Sequence, residues 1–378
     1  MKVCFISHTS AKGGAEKALL ELIEVLKERV ECYVILPRSG PLIEEFKKRK
    51  ITYSILPYGW WMGKKFPRWK RVARIILNLF AWIPLTLRIK LWKCEIVYTN
   101  TITVCVGALA AKILKLPHVW HIHEFGYEDH SLIFDFGTNL SLWFMNNFSD
   151  IVIANSHAVA EKYKKYIPLS KIKVIYYSVN VPKDLIPNKM NLQKDKKIRC
   201  AIVGSLQEGK RQEEAILAMK ELINKGVESE LLIIGKGDLK YEKFLRELVI
   251  KNKLLKYVKF LGWFDNPFLI MNAVDVILVC SVCEAFGRVT IEAMKLGKPV
   301  IGARSGGTAE LIQDGFNGFL YTPGDYRELA EKIFFVYEHP EIAKKIAENG
   351  KRWADQNFTQ EKYGSQVFAV LNNLLARR

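Results

Sequence analysis

The chain alternates short runs of β-branched residues with amphipathic stretches, breaks off near residue 180, and then starts the same alternation again. Strands are expected at Val3–Ser7, Glu31–Leu36, Ile51–Ile55, Glu95–Thr99, His118–His121, Ile151–Ala154 and Lys173–Ile175, with helical stretches such as Ala15–Lys27 between some of them. β-runs separated by helix-period segments are the pattern of a parallel sheet with helices on both faces. Residues 181–197 carry Pro182, Pro187 and many lysines, and read as a linker. The second series places strands at Ile198–Gly204, Glu230–Ile234, Val258–Leu261, Val276–Cys280, Pro299–Ala303 and Gly318–Tyr321. Its helices are expected at Arg211–Asn224, Tyr241–Asn252, Val289–Leu296 and from Tyr326 onward. The expected class is therefore α/β, with doubly wound halves over residues 1–180 and 198–357 and a C-terminal helix over 358–378 that packs back toward the first half. Ligands of such sheets bind beyond the carboxyl ends of the strands, and with two sheets the cleft between them is the default site.

A chain of 378 residues is long enough for two ordinary cores. Hydrophobic content of 49% and charged content of 25% exclude a largely disordered chain. The net charge of +18 favours anionic partners: phosphorylated ligands, an anionic membrane or nucleic acid. The opening MKVCFISHTS has too short an apolar run for a secretory signal and reads as a first strand. Seven cysteines form no disulfide framework and fit a reducing cytoplasm. Cys280 and Cys283 have C-x-x-C spacing but lack a second pair, so packing is the better reading than zinc or redox chemistry.

Residues 283–315, CEAFGRVTIEAMKLGKPVIGARSGGTAELIQDG, carry the chemistry. Glu284 follows the apolar run Val276–Cys280, on the loop at its carboxyl end, and Gly287 permits a tight turn into a helix beginning near Val289. The first turn of a helix has unpaired N–H groups and partial positive charge, which suit a phosphate. Glu292 lies a turn or two into that helix, so two carboxylates flank one phosphate-binding floor. Carboxylates accept hydrogen bonds from sugar hydroxyls, and a phosphorylated sugar satisfies all three elements. Spacing alone fits equally well two surface glutamates on a helix.

The stretch resembles the E-x7-E region of retaining glycosyltransferases of family 4, whose pattern runs S-x-x-E-x-F-G-x-x-x-x-E-A-M-x-x-G-x-P-V-I. Here stand Ser281, Glu284, Phe286, Gly287, Glu292, Ala293, Met294, Gly297, Pro299, Val300 and Ile301, followed by Gly306, Gly307 and Glu310. Gly13 and Gly14 resemble the family's N-terminal glycine loop. Val203-Gly204-Ser205-Leu206 with Lys210 resembles the G-R-L-x-x-x-K segment, with Ser205 where the family has Arg; Arg211 and Arg288 are candidates for the missing charge. His123, in Trp120–Glu124, matches an active-site histidine, though a histidine ending a strand is often a satisfied core residue. The resemblance implies the GT-B fold, two doubly wound Rossmann-like domains facing a central cleft. It implies transfer of a sugar from a nucleotide-sugar donor with retention, by same-face attack in which a donor phosphate oxygen takes the acceptor's proton. Glu284, His123 and Lys210 are then the catalytic candidates. Gly204, Ser205, Lys210, Glu284, Phe286, Gly287, Arg288, Val289 and Glu292 are the donor-binding candidates, with Glu292 on the ribose. No cofactor and no metal are expected, and the chain has no Asp-x-Asp. An epimerase on the same fold, or a non-catalytic binding protein, is the rival. A dinucleotide oxidoreductase is disfavoured, for no G-x-G-x-x-G follows a strand with a ribose-binding acid beyond it.

From Phe46 to Cys94 there is no acidic residue, but there are 13 Lys or Arg and five of the nine tryptophans. Its apolar part, Ile75–Leu87, contains Pro84 and reads as too short and interrupted for a membrane span. Basic residues with Trp and aliphatics suit a membrane interface, and a lipid-linked glycan acceptor at the inner face of the cell membrane would fit. A core-covering helix with a solvated basic face is the plainer alternative. Nucleic acid is not expected, since no nucleic-acid module is recognisable.

Overall fold

The computed structural model describes residues 1–64, 67–182 and 197–377. The expected linker, 181–197, lies almost wholly outside the described residues. The chain divides into two compact units. One holds residues 1–178 and 359–378; the other holds 179–358.

The first unit contains β1 (Lys2–Ser7), β2 (Glu31–Leu36), β3 (Thr52–Ile55), β4 (Met62–Gly63), β5 (Ile96–Asn100), β6 (His118–Ile122), β7 (Ile133–Phe134), β8 (Ile151–Ala154) and β9 (Ile172–Val174). Seven of these form one sheet in the order β3-β2-β1-β5-β6-β8-β9, parallel throughout. Strands β5, β6 and β8 are buried at every position, which is why they show no apolar–polar alternation; the polar Thr99, Asn100, His118 and His121 in them are buried too. The two-residue strands β4 and β7 pair antiparallel beside the sheet and carry no periodic signal that a sequence could announce.

The second unit contains β10 (Ile198–Val203), β11 (Ser229–Ile234), β12 (Val258–Gly262), β13 (Val276–Val279), β14 (Val300–Ala303) and β15 (Phe319–Tyr321). They form a parallel sheet in the order β12-β11-β10-β13-β14-β15. In both sheets the winding reverses beside the first strand, at β1/β5 and at β10/β13. Such switch points open crevices at the carboxyl ends of the strands, and the candidate residues lie there.

The final helix, Gln360–Ala376, belongs to the first unit and packs on the helix Gly14–Leu26. Gly364 makes the close approach possible: a Cβ there would stand 2.3 Å from Cγ1 of Val25.

One expectation is corrected. Ile75–Leu87 is not an interrupted stretch but the middle of a single 24-residue helix, Arg68–Leu91, running through Pro84. Proline removes one intrahelical hydrogen bond, which normally kinks or ends a helix. Here Ala81, Leu85 and Ile89 are buried in the core beside Cys4, Ile6, Ile35 and Val97 on both sides of the proline, and this packing holds the axis. It is the one helix among the described residues with the length and composition to cross a membrane.

Candidate active site

In the second unit the chain turns sharply after β10. Gly204 (φ 154°) passes so close to Gly235 that a Cβ on Gly235 would lie 1.8 Å from the Gly204 carbonyl oxygen. The loop then makes one 3₁₀ turn, Glu208–Lys210, and Arg211 adopts a left-handed conformation to start the helix Gln212–Asn224. The Val282 N–H donates to the Gly209 carbonyl (3.1 Å), tying this loop to the one after β13. Lys210 and Glu284 therefore meet: Nζ to Oε2 is 2.6 Å, with both side chains about one-quarter exposed. They line a pocket with Gly287, Val289, Ser281 and Gln212.

The glycines of the 283–315 stretch explain how Glu284 is held. Gly287 has φ 96° and caps the helix Arg288–Lys295, a conformation that disfavours any residue with a Cβ. The Gly307 N–H donates to the Glu284 carbonyl (2.6 Å). Gly306 has φ 51°, and a Cβ on it would meet that same carbonyl at 2.4 Å; one on Gly307 would meet the Phe286 carbonyl at 2.5 Å. The Gly-Gly pair thus lets the helix Gly306–Leu311 back directly onto the loop after β13 that carries Glu284. Glu292 is buried in the second turn of the Arg288–Lys295 helix, with Arg288 Nε 4.0 Å from its Oε1. Phe286 is also buried and packs on Phe358, so its place is under the loop. The Ser205 carbonyl accepts from the Gln212 side chain (3.0 Å). Arg211 is committed to Glu214 (2.7 Å) and Glu213 (3.6 Å), and Arg288 faces Glu292, so both candidates for the charge missing at Ser205 already have acidic partners. Burial raises the Cys280 thiol to about 12, which makes it inert.

In the first unit, Gly13 caps the helix Gly14–Leu26 in an extended conformation; a Cβ there would stand 2.5 Å from Glu16 Oε2, the movable end of that side chain. The Glu16 carboxylate accepts the backbone N–H groups of Gly13 and of Glu16 itself, and burial raises it to about 7. His8 Nδ1 lies 3.1 Å from Glu16 Oε1, and burial depresses that imidazole to about 3, so it is neutral. His123 directly follows β6 with both ring nitrogens occupied. Nε2 meets Asn100 Oδ1 at 2.6 Å; an amide oxygen only accepts, so Nε2 carries the proton. Nδ1 accepts from the Tyr177 hydroxyl, which in turn accepts from Asn155 Nδ2 (2.9 Å). Burial, with His121 beside it, keeps His123 uncharged. The Glu124 carboxylate receives the N–H groups of Ile102 (3.1 Å) and His123 (3.0 Å), and burial raises it to about 8.

The structure brings Lys210, Glu284, Gly287 and Val289 into one pocket and places Glu292, Arg288 and Phe286 just behind its rim. His123 sits in a separate, buried network of the first unit. Sequence reasoning missed His8, Asn100, Glu124 and Tyr177 as members of that network. Glu16 was detectable, since an acid three residues after a helix cap is a capping signal.

A family model described as Glycosyl transferases group 1 matches residues 183–353, and one described as Glycosyltransferase Family 4 matches residues 12–182. The chain is 30% identical over 272 residues to an uncharacterised glycosyltransferase of Methanocaldococcus jannaschii, spanning 71% of this chain and 72% of that one. It is 27% identical over 236 residues to N-acetyl-α-D-glucosaminyl L-malate synthase of Bacillus anthracis, 60% of each chain. Among solved structures it is similar to Anabaena HepE in complex with UDP-glucose, with TM-score 0.80 and 26% identity over 99% of this chain and 100% of that one. The same protein with UDP gives TM-score 0.81 at 25% identity, again over 99% and 100%.

Proposed function

The chain belongs to glycosyltransferase family 4, and from that premise we propose that it moves a sugar, with retention and without a metal, from a nucleoside-diphosphate sugar to a hydroxyl of a lipid-linked or polysaccharide acceptor in cell-surface glycan synthesis. The observation that carries the reading is the Lys210–Glu284 pair at the β10/β13 switch point, facing the start of the Arg288–Lys295 helix. A diphosphate needs a cation and N–H donors; Lys210 and the backbone at Val289, in the first turn of that helix, would offer both. Glu284, held by Lys210 and by the Gly306-Gly307 backing, would accept hydrogen bonds from the donor sugar, and Glu292 from the ribose.

As the glycosidic bond breaks, its electron pair goes to the diphosphate. Lys210 then stabilises charge that grows in the transition state, where fixed cations contribute most. The acceptor oxygen attacks on the face the diphosphate leaves, and its proton passes to a phosphate oxygen. No side chain of the pocket is required as base. His123, with both nitrogens engaged, would act as a neutral scaffold that presents its backbone and Asn100 rather than as a proton carrier. The acceptor side belongs to the first unit, whose exposed basic helix favours a site at the cytoplasmic face of the cell membrane.

The test is transfer from UDP-, GDP- and dTDP-sugars with EDTA present, reading product anomer by NMR. One donor giving a product with the donor's own anomeric configuration, undiminished by EDTA, is expected. Inversion, or loss of turnover that added divalent metal restores, would overturn the mechanism. Interconversion of nucleotide-sugars with no acceptor would favour the epimerase reading.

A further inference from the structure

The helix Arg68–Leu91 is apolar on two faces. One face, through Asn78, Ala81, Leu85 and Ile89, is anchored to the core. On the other, Trp69, Val72, Ile76, Phe80, Ile83, Leu87 and Leu91 recur at three- and four-residue intervals; Ile83 is 43% exposed and the rest at least half exposed. At about 1.5 Å per residue the stripe is roughly 33 Å long. An uncovered apolar stripe of this length is exceptional on a soluble surface.

The charges around it are one-signed and placed at its ends. Lys70 lies over the Trp69 ring (5.4 Å) near one end, and Arg88 lies over the Trp92 ring (5.6 Å) near the other, with Lys90 and Lys93 beside it. Between Ile75 and Leu87 there is no charge of either sign. The Asp135 carboxylate, which meets the helix, is buried and paired with Arg74 (2.5 Å) and Arg71 (3.5 Å). Phe136, next to it, is exposed and extends the apolar surface.

We propose that this helix is a membrane foot that lies in the plane of an anionic leaflet: its outer stripe enters the acyl boundary while the cations and tryptophans at its ends hold the headgroup phosphates. The inference rests on the reading of a membrane-side acceptor, and it names the surface and the lipid chemistry. A spanning arrangement is excluded by the inner face, since Ala81, Leu85 and Ile89 cannot be packed in the protein core and surrounded by lipid at once. A second copy of the chain is a poor occupant, because both ends of the stripe are basic and either parallel or antiparallel pairing sets cation against cation.

The test is flotation of the purified chain with phosphatidylcholine vesicles, with and without about one-third phosphatidylglycerol, at low and high salt, alongside Phe80→Ser/Leu87→Ser. Both substituted residues are exposed, and circular dichroism checks the fold. The expected result is binding at least about tenfold stronger to anionic than to neutral vesicles, release by high salt, and loss of about tenfold or more in the variant. Equal binding by the variant, no binding to anionic vesicles, or retention through high salt and alkaline carbonate would each overturn it. So would a dimer in analytical ultracentrifugation that the variant dissociates while vesicles remain unbound. Nucleotide binding, measured on the same samples, separates this from the catalytic reading: a chain that binds vesicles but no nucleotide-sugar loses the latter and keeps the former.

Discussion

The carboxyl ends of β10 and β13 hold their polar groups near water; the carboxyl ends of β1 and β6 hold theirs buried. In the second unit Lys210 and Glu284 form an accessible ion pair at a pocket, with glycines bending the backbone around it. In the first unit His8, Glu16, His123 and Glu124 are enclosed, and burial favours their neutral forms. An accessible pair can exchange partners when a ligand arrives. A buried neutral network is fixed in one arrangement and serves to position backbone. On the proposed function, this difference would give charge stabilisation to the second unit and shape to the first.

The largest test of that division is Lys210→Ala. Loss of the cation that lines the pocket among the described residues should, if the proposed function holds, lower kcat by about 10²–10³-fold, the range seen when a preorganised charge-stabilising group is removed. A fall of less than tenfold, measured by steady-state transfer, would move the charge stabilisation elsewhere. Next comes Gly306→Ala. Its φ of 51° and the 2.4 Å approach to the Glu284 carbonyl predict a displaced loop, with stability lowered by about 1–3 kcal/mol and activity lowered with it. Urea unfolding that matches wild type would show that the backing is dispensable.

Glu16→Gln probes the buried network. Glu16 is raised to about 7 when folded from about 4.5 when unfolded, so its contribution is full below about pH 4.5 and is lost as pH rises through about 7. His8 is neutral across this window. Glutamine cannot ionise, keeps an oxygen for the Gly13 N–H and offers an N–H to His8. The stability of the variant relative to wild type should therefore improve on going from pH 5 to 8, by of the order of 2 kcal/mol. A difference between the two that stays constant with pH would place the ionised carboxylate comfortably in its site. The smallest effect is expected for Arg211→Ala. Its guanidinium is occupied by Glu213 and Glu214, so donor KM should change by less than about threefold; a large rise would make Arg211 the replacement for the arginine absent at Ser205.

The same contrast explains what the sequence could tell. Every strand of the two large sheets was legible, because short β-branched or apolar runs stand between turn signals and helix-period segments; their ends differ by a residue or two. Most of the second-unit site was legible because those parts are local: Glu284, Gly287, Glu292 and Gly306 fall within 23 residues, and only Lys210 comes from a distant segment, the loop after β10. The first-unit network was not, since His8, Asn100, His123 and Tyr177 come from four distant segments that follow β1, β5, β6 and β9 and meet only through the sheet order β1-β5-β6-β8-β9. Ile75–Leu87 was misread for a related reason. Pro84 is a local breaker, and the packing of Ala81, Leu85 and Ile89 that overrides it is tertiary.

The most direct measurement is calorimetric titration of UDP-, GDP- and dTDP-linked sugars into the purified chain with EDTA, beside Lys210→Ala. The account predicts that one nucleotide-sugar binds and that the variant binds it at least about tenfold more weakly. Absence of binding by every donor, or equal affinity in the variant, would contradict the claim that the β10/β13 pocket holds a nucleoside diphosphate.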